Sequence, residues 1–277
     1  MNKLGIVAGG GKLPLMVIEA CQQQGRPFHV FALKGQAVPT DYPLSWPVSW
    51  IRLGDVGKGF AIARREKCRD IMLIGSVKRP GFSEIRPDWQ GMKFLAKAGL
   101  KSLGDDGLLR AVIKEIEKEG FHVVGADTVL TDCLAPLGVY GRVQPDTQAR
   151  KDIARGFSVA KALGKVDVGQ SVIVADGLVL AVEAIEGTDA LILRSKDLHR
   201  PQTHGVLVKV KKPAQEQRAD LPTIGTRTIE NAAAVGLKGI AVEKDSTFVV
   251  DMKAVVELAD RLGLFVMGVD ASCLKEK

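Results

Sequence analysis

The 277-residue chain is 46% apolar and 26% charged, and only 5% of its residues are aromatic. This composition is typical of a globular protein with an aliphatic core, and it excludes disorder except in the tail, residues 271–277. Lysine and arginine exceed aspartate and glutamate by 39 − 32 = 7, so partners that carry phosphate are expected. The basic residues form no block of five or six, and the aromatics are too few to stack on bases, so no nucleic-acid partner is predicted.

The cysteines and the apolar segments indicate in which cellular compartment the protein works. The four cysteines lie far apart in the sequence, and no two have the spacing of a zinc site, which indicates a reducing compartment. No run of about 18 apolar residues is long enough to span a membrane. The N-terminus also lacks the apolar stretch of a signal peptide. We therefore predict a cytoplasmic protein that can visit a membrane surface.

The first half of the chain alternates predicted strands with predicted helices. The strands are expected at 3–8, 27–33, 70–75 and 122–125, and the helices at 13–24, 56–66, 88–98 and 106–119. Such alternation indicates a parallel sheet that is covered by helices on both faces. Residues 1–133 are therefore predicted to form a Rossmann-like domain.

The glycine run Gly9-Gly10-Gly11 follows the first predicted strand. It is not a Walker A loop, because Leu13 stands where Ser or Thr should follow Lys12. The dinucleotide fingerprint fails as well, because Pro14 replaces its third glycine, so nicotinamide and flavin cofactors are not expected. A glycine backbone that leads into a helix N-terminus suits an anion. Ser76-Val77-Lys78 leaves a neighbouring strand at the same expected sheet edge, so both loops are candidates to hold one ligand.

The second half begins with a change of pattern. Residues 134–145 mix proline, glycine and apolar residues without periodicity, and they are predicted to connect two domains. Asp146 is predicted to cap a helix that runs to residue 163. Further strands are expected at 171–175, 179–183, 206–210, 239–242, 247–250 and 265–267, and further helices at 190–195, 227–235 and 252–262. Asp176-Gly177 predicts a hairpin. Residues 146–277 are therefore predicted to form a second α/β domain with at least one antiparallel pair.

The stretch 204–228 is the most informative part of the second half. Valines at 206, 208 and 210 alternate with Lys209 and Lys211, which predicts a strand whose lysines lie on the face opposite the valines. After Lys212, a loop leads to Asp220 and then to a turn in which Thr226 is predicted to cap a helix. A carboxylate near lysines and a helix N-terminus can bind a divalent cation together with a phosphate. An ordinary basic hairpin followed by a turn fits the same pattern.

Among the other reactive side chains, carboxylates are the better candidates for chemistry. No histidine pair has metal-ligand spacing, and no nucleophile elbow or Cys-His pairing is visible, which disfavours a nucleophilic triad. Eight carboxylates lie at predicted strand ends or in loops: Asp105, Asp106, Asp127, Asp132, Glu183, Glu186, Asp189 and Asp220. Such oxygens suit Mg²⁺ or Mn²⁺, which use one or two protein carboxylates. Each of them also fits a capping or surface role.

Four motifs carry a resemblance to a known family. They are GGGKLP at 9–14, GDDG at 104–107, EGTDA at 186–190 and DLPTIG at 220–225. In this order, over residues 3–270, they resemble the metal-dependent UDP-2,3-diacylglucosamine hydrolases of bacterial lipid A synthesis, the LpxI type. The resemblance implies a Rossmann-like domain and a domain of family-specific fold that clasp the substrate. It also implies magnesium, and hydrolysis of a pyrophosphate to UMP and 2,3-diacylglucosamine 1-phosphate.

The resemblance implies a role for one aspartate, and the chemistry of a pyrophosphate indicates candidates for the other roles. The key aspartate of the family matches Asp220, for which we favour metal ligation over accepting a proton from water. Lys212 is the candidate for neutralising a phosphate, and Glu186 and Asp189 are weaker metal-ligand candidates. Mg²⁺ is the expected ion, with Mn²⁺ as the alternative. The predicted substrate-binding residues are Gly10, Gly11, Lys12, Ser76, Val77, Lys78, Asp127, Thr188 and Thr223.

The acyl chains of the implied substrate predict contact with the cytoplasmic face of the inner membrane. Scattered basic residues, each worth about 1 kcal/mol near an anionic surface, can favour that contact. A homodimer is one candidate assembly. Two other functions fit parts of the sequence: a carrier that shelters a nucleotide-linked lipid without cleaving it, and a nucleic-acid-binding module suggested by net charge alone.

Overall fold

A computed structural model describes residues 1–77, 87–92, 105–198, 204–213, 215–218 and 220–274. The chain divides into two compact units. The first comprises Met1–Thr131 together with Glu216–Asp220, and the second comprises Asp132–Gln215 together with Leu221–Lys277. The short segment Glu216–Asp220 therefore belongs to the first unit, although the chain on either side of it belongs to the second.

The first unit is built on a parallel sheet, as the alternating pattern predicts. Its strands are β1 (Leu4–Ala8), β2 (Phe28–Leu33), β3 (Val48–Ile51), β4 (Asp70–Ile74) and β5 (His122–Val123), and its helices include α1 (Leu13–Gln23), α2 (Val56–Arg65) and α3 (Asp105–Lys118). The spatial order is β3-β2-β1-β4-β5, and every pair is parallel. The chain reverses its direction of travel across the sheet between β1 and β4, so the switch point lies at their carboxyl ends.

The first unit contains one strand that the sequence does not predict, and one predicted helix is described only in part. Strand β3 is not predicted from the sequence, because its four residues VSWI follow a proline and lie at the sheet edge, three of them only partly buried. Of the helix predicted at 88–98, residues 89–92 are helical, and the remainder lies largely outside the described residues.

The second unit contains eight strands and four helices within its described residues. The strands are β6 (Gly138–Val139), β7 (Ser171–Ala175), β8 (Leu178–Val182), β9 (Val206–Lys209), β10 (Thr223–Ile224), β11 (Gly239–Glu243), β12 (Phe248–Val249) and β13 (Phe265–Val269). The helices are α4 (Thr147–Lys165), α5 (Gly187–Arg194), α6 (Thr226–Ala234) and α7 (Met252–Leu262). Six strands form one sheet in the order β6-β13-β11-β9-β7-β8, and β10 pairs with β12.

The larger sheet of the second unit is mixed. Strands β9, β11 and β13 are parallel, whereas β7 runs antiparallel to both β8 and β9. One face packs against α4 through Ile153 and Phe157, which meet Val206 and Val208. The opposite face packs against α5, α6 and α7 through residues such as Leu191. Because both faces are covered, the central strands are buried except for Glu243 at the end of β11, which is partly exposed.

This covering corrects one prediction. The alternation in β9 predicted a strand half-buried on its valine side, but all four of its residues are buried and Lys209 is only 7% exposed. Strand β9 lies between β7 and β11 in the middle of the sheet, so its second face meets helices rather than water. Period-2 alternation normally marks a strand with one wet face, and here it marks a charged residue that is held inside the unit.

Local signals at the chain turns are mostly confirmed. Asp146 caps α4 by accepting a hydrogen bond from the Ala149 amide at 2.7 Å. Asp176 and Gly177 form the predicted hairpin turn, with φ of 49° and 76°, as a type I′ turn requires. The prediction that Thr226 caps the next helix is wrong. The N-cap is Gly225, whose amide donates to the Thr228 hydroxyl at 3.3 Å.

The segment expected to connect two domains is part of the second unit. Within residues 134–145, strand β6 pairs antiparallel with β13, and Ala135 is fully buried in a core cluster. The lack of periodicity reflects a two-residue strand between turns. None of the helices in the described part of the chain combines the length and the apolar run needed to cross a bilayer.

Candidate functional site

The glycine run and Ser76 meet at the switch point of the first sheet. The Gly10 amide donates to the Ser76 carbonyl at 2.8 Å, and the Ser76 amide donates back to the Gly10 carbonyl at 2.9 Å. A Cβ on Gly9 would lie 2.5 Å from the Ser76 carbonyl oxygen, so this contact requires glycine. The two predicted loops are therefore joined by backbone hydrogen bonds. The amides of Gly9 and Gly10 are used in that joint and in the bond from Gly9 to Ile74.

The exposed part of this edge begins one residue later. Gly11 has φ of 91°, and apart from its chain neighbours no atom of the described residues lies within 4 Å of the place where a Cβ would be. Lys12 is exposed and occupies the N-cap of α1 without a side-chain cap, so the helix N-terminus keeps its attraction for an anion. Val77 is also exposed, at 44%, and Lys78 lies outside the described residues. We refer to residues 9–12 together with 75–77 as the glycine edge.

The segment 216–220 packs at the end of β5 in the same unit. Arg218 Nη1 donates to Glu117 Oε1 of α3 at 2.5 Å, and Arg218 Nε donates to Glu216 Oε1 at 2.9 Å. These bonds raise the pKa of Arg218 and lower that of Glu216. A Cβ on Gly125 would lie 3.2 Å from Arg218 Cα, so the segment lies directly against the strand end.

Asp220 and Asp127 are both associated with this segment. Gln217 Nε2 lies 3.5 Å from Asp127 Oδ2, and the Asp220 amide donates to the Glu216 carbonyl at 3.1 Å. Asp220 is exposed, whereas Asp127 is partly buried. Because β1, β4 and β5 are adjacent and parallel, their carboxyl ends share one edge. The fold therefore brings a carboxylate from late in the sequence into the unit that carries the glycine edge.

In the second unit, Thr188 and Thr223 lie around a buried lysine. Lys209 Nζ donates to Thr188 Oγ1 at 2.9 Å and to the Thr223 carbonyl at 3.0 Å. Thr188 Oγ1 in turn donates to Glu183 Oε1 at 2.9 Å and lies 3.2 Å from Ser171 Oγ. Glu183 is only 6% exposed. We call Ser171, Glu183, Thr188, Lys209 and Thr223 the lysine cluster.

The two weaker metal-ligand candidates are held by basic side chains. Arg194 donates to Glu186 Oε1 at 2.7 Å, and this bond lowers the pKa of the Glu186 carboxyl. Arg227 lies 3.2 Å from one oxygen of Asp189, and the Asn231 amide donates to the other at 3.1 Å. Both carboxylates would have to exchange these partners before they could bind a cation.

The predicted phosphate-neutralising lysine also has an acidic partner. Lys212 Nζ donates to Asp167 Oδ1 at 2.7 Å, and the Lys212 side chain is 18% exposed. Asp167 stands at the end of α4 with φ of 55°. A substrate phosphate would compete with Asp167 for this ammonium group.

The side chains that could ligate a metal ion decide which ion fits. Among the described residues, no group of three or more His, Cys, Asp and Glu side chains could hold an ion. Magnesium needs only one or two protein carboxylates and completes its shell with water and phosphate. Asp220 supplies an exposed carboxylate for such a shell, although Asp220, like Glu186 and Asp189, already has an interaction partner.

Two residues that hold these segments in position, Lys209 and Arg218, are not identified as such from the sequence. The alternation in β9 places Lys209 on the face opposite the valines but does not indicate that this face is buried, although a lysine within an apolar strand next to a polar loop is a signal that points to it. Arg218 lies in a polar loop whose composition, AQEQRAD, contains no pattern that indicates its partner on α3. Both depend on contacts between residues far apart in the sequence.

We expect Arg218→Ala to loosen the segment 216–220 without unfolding the protein. The bonds to Glu117 and Glu216 are partly exposed, so their loss corresponds to about 0.4–1 kcal/mol. Amide hydrogen exchange in this segment should become about two- to fivefold faster. Arg142→Ala is the matched control, because Arg142 forms an exposed pair with Asp260 in the second unit. Unchanged exchange in the Arg218 variant would show that these bonds do not hold the segment.

Comparison with known proteins covers both units. A family model described as the LpxI N-terminal domain matches residues 3–133, and one described as the LpxI C-terminal domain matches residues 136–267. A protein named "UDP-2,3-diacylglucosamine pyrophosphatase LpxI" from Caulobacter vibrioides is 44% identical to this chain over 277 residues. The match covers 98% of this chain and 98% of that relative.

Proposed function

Because this chain belongs to the LpxI family, we propose that it is an enzyme that hydrolyses the pyrophosphate bond of UDP-2,3-diacylglucosamine. The products of the proposed reaction are UMP and 2,3-diacylglucosamine 1-phosphate, in lipid A biosynthesis. One observation carries the proposal: the identity of 44% extends over 98% of both chains. It therefore includes both units rather than a single shared domain.

Hydrolysis of a pyrophosphate bond requires particular groups around the two phosphates. Water adds to one phosphorus, the bond from that phosphorus to the bridging oxygen breaks, and the proton of the water is released. The two phosphates each carry a negative charge that repels the incoming oxygen, so positive groups and amide donors are needed around them. A bound Mg²⁺ would supply charge neutralisation at the phosphate oxygens.

Asp220 is the residue that we propose to hold the ion. It is an exposed carboxylate in the unit that carries the glycine edge, and its chemistry suits a hard cation. Mn²⁺ would be held by the same oxygen donors. Glu186 and Asp189 would contribute only after release from Arg194 and Arg227.

The glycine edge, Lys212 and Asp127 would bind the substrate. The glycine edge offers close approach to backbone at Gly11 and a helix N-terminus at Lys12, both of which favour a phosphate. Lys212 would take up charge on the leaving phosphate by exchanging Asp167 for it. Asp127 would lie close to the bound nucleotide sugar, because it adjoins the segment that carries Asp220.

We also propose where the enzyme works. A diacylated substrate keeps its acyl chains in or near a bilayer, and the chain has a formal net charge of +7. An excess of basic residues favours the anionic cytoplasmic face of a membrane. Binding of the protein to anionic vesicles that weakens as salt is added would support this location.

The experiment that tests the proposed function is hydrolysis by the purified protein. Incubation with UDP-2,3-diacylglucosamine and Mg²⁺ should release UMP, and excess EDTA should abolish the release until Mg²⁺ or Mn²⁺ is added back. A protein that binds the substrate but releases no UMP with either metal would be a carrier, and the proposal would be wrong. Release that is indifferent to EDTA would contradict the metal dependence alone.

A further inference from the structure

The lysine cluster contains two buried charges that the proposed reaction does not yet use. Lys209 is 7% exposed and Glu183 is 6% exposed, and Ser171 is fully buried beside them. The charged groups of Lys209 and Glu183 are joined through one hydroxyl, that of Thr188. Buried charges destabilise a fold unless they are paired and hydrogen-bonded. Their presence in an otherwise apolar sheet therefore needs an explanation.

The hydroxyl of Thr188 has little capacity left for a substrate. A hydroxyl offers one donor and two acceptor positions. Thr188 Oγ1 donates to Glu183 Oε1 and accepts from Lys209 Nζ, and Ser171 Oγ lies 3.2 Å away in position to donate. All three positions are then used within the cluster. The hydroxyl consequently links the charged groups of Lys209 and Glu183. Because Thr188 lies in the first turn of α5, this link fixes the position of that turn.

Lys209 connects two segments that carry predicted site residues. Thr188 lies in the first turn of α5, between Glu186 and Asp189. Thr223 begins β10, three residues after Asp220 in the sequence, and its carbonyl accepts the second hydrogen bond from Lys209. Lys209 itself ends β9, which is paired on both sides by β7 and β11. A rigid strand thus fixes the lysine, and the lysine ties the α5 turn to the start of β10.

Glu183, at the other end of the lysine cluster, is also held in position. The Gln170 amide donates to Glu183 Oε2 at 3.2 Å, and the Glu183 amide donates to the Ser171 carbonyl at 2.9 Å. A Cβ on Gly169 would lie 2.0 Å from the Glu183 carbonyl oxygen, so only glycine allows this approach. The carboxylate therefore has a set position, and it can orient the Thr188 hydroxyl toward Lys209.

We propose that Lys209 is a positioning residue for pyrophosphate hydrolysis: its buried ammonium group, balanced by Glu183 through Thr188, holds the α5 turn and the start of β10 in the arrangement that the reaction needs. This inference rests on the proposed function. A change of about 1 Å in such an arrangement can lower a rate on the order of 100-fold. Lys209→Met keeps an unbranched side chain that is one heavy atom shorter and removes the ammonium group.

The test compares Lys209→Met with another buried charge of the second unit, Asp152 on α4. Asp152 is 2% exposed and accepts hydrogen bonds from the Asp176 and Gly177 amides of the hairpin. Asp152→Ala should lower the melting temperature and leave kcat per folded molecule close to that of the wild type. Lys209→Met should lower the melting temperature and also reduce kcat for UMP release on the order of 100-fold. Its KM should change far less, because the lost contacts align groups rather than bind substrate.

A double variant separates charge balance from positioning. In Lys209→Met combined with Glu183→Gln, neither buried charge remains, so the melting temperature should recover relative to Lys209→Met while kcat stays low. This variant also serves if the single variant does not fold. The inference is overturned if kcat recovers together with stability, or if Lys209→Met loses no more kcat than Asp152→Ala. A wild-type protein that releases no UMP would instead refute the proposed function.

Discussion

Asp220→Ala should reduce UMP release by more than about 100-fold while the protein keeps its fold. The carboxylate is exposed, so its removal should change the free energy of unfolding by only about 0.5 kcal/mol. The rate falls because the substitution removes the oxygen ligands that we propose for the cation. Steady-state UMP release and a thermal melt, measured on the same preparation, give both quantities.

The control for Asp220→Ala is an exposed aspartate with no assigned role. Asp197 lies in a 3₁₀ turn of the second unit and is exposed, so Asp197→Ala should hydrolyse the substrate as the wild type does. Asp220→Asn adds a second comparison, because it keeps the shape and one oxygen but loses the charge. If Asp220→Ala releases UMP at the wild-type rate, Asp220 has no part in the mechanism.

Gly9→Ala should lower both stability and activity. The added Cβ would lie 2.5 Å from the Ser76 carbonyl oxygen and 3.1 Å from Gly75 backbone atoms, none of which can turn away as a flexible side chain would. Forcing a methyl group into such a contact costs about 1–3 kcal/mol. The strain should separate the two loops of the glycine edge, and UMP release should fall on the order of 100-fold.

Gly59→Ala is the matched control for that substitution. Gly59 lies within α2, and a Cβ there would be 3.8 Å from Ile51 Cδ1, an ordinary contact. Because alanine is a better helix former, this variant should be more stable by about 0.5–1 kcal/mol, with unchanged activity. Urea denaturation and UMP release, measured on both variants, check the pair. A Gly9→Ala protein as stable and active as Gly59→Ala would show that the two loops need not stay joined.

The glycine edge shows why part of the site could be predicted from residue order alone. Parallel strands deliver their carboxyl ends to one edge, so a glycine run after one strand and a serine after its neighbour were expected to meet. Gly10 and Ser76 do so through two backbone hydrogen bonds. The sequence shows that the glycines of this edge have no Cβ atoms. It does not show which backbone amides are used in joining the two loops, because that depends on the angle between the loops.

The lysine cluster shows the opposite case. Lys209 alternates with apolar residues in the way that a solvent-facing residue does, and only its neighbours decide its environment. With β7 and β11 on both sides and α5 nearby, the ammonium group meets Thr188 and the Thr223 carbonyl instead of water. The same is true of the segment 216–220, whose place in the first unit follows from the partner of Arg218.

The sequence by itself determined the α/β character of both halves, the hairpin at Asp176-Gly177, the cap at Asp146 and the glycine edge. These features depend on periodicity and on backbone preferences that act over a few residues. Only the tertiary structure decided that Lys209 is buried and that the segment carrying Asp220 joins the first unit. The environment of a side chain is set by strands and helices that are distant in sequence, and no local pattern records which of them will be its neighbours.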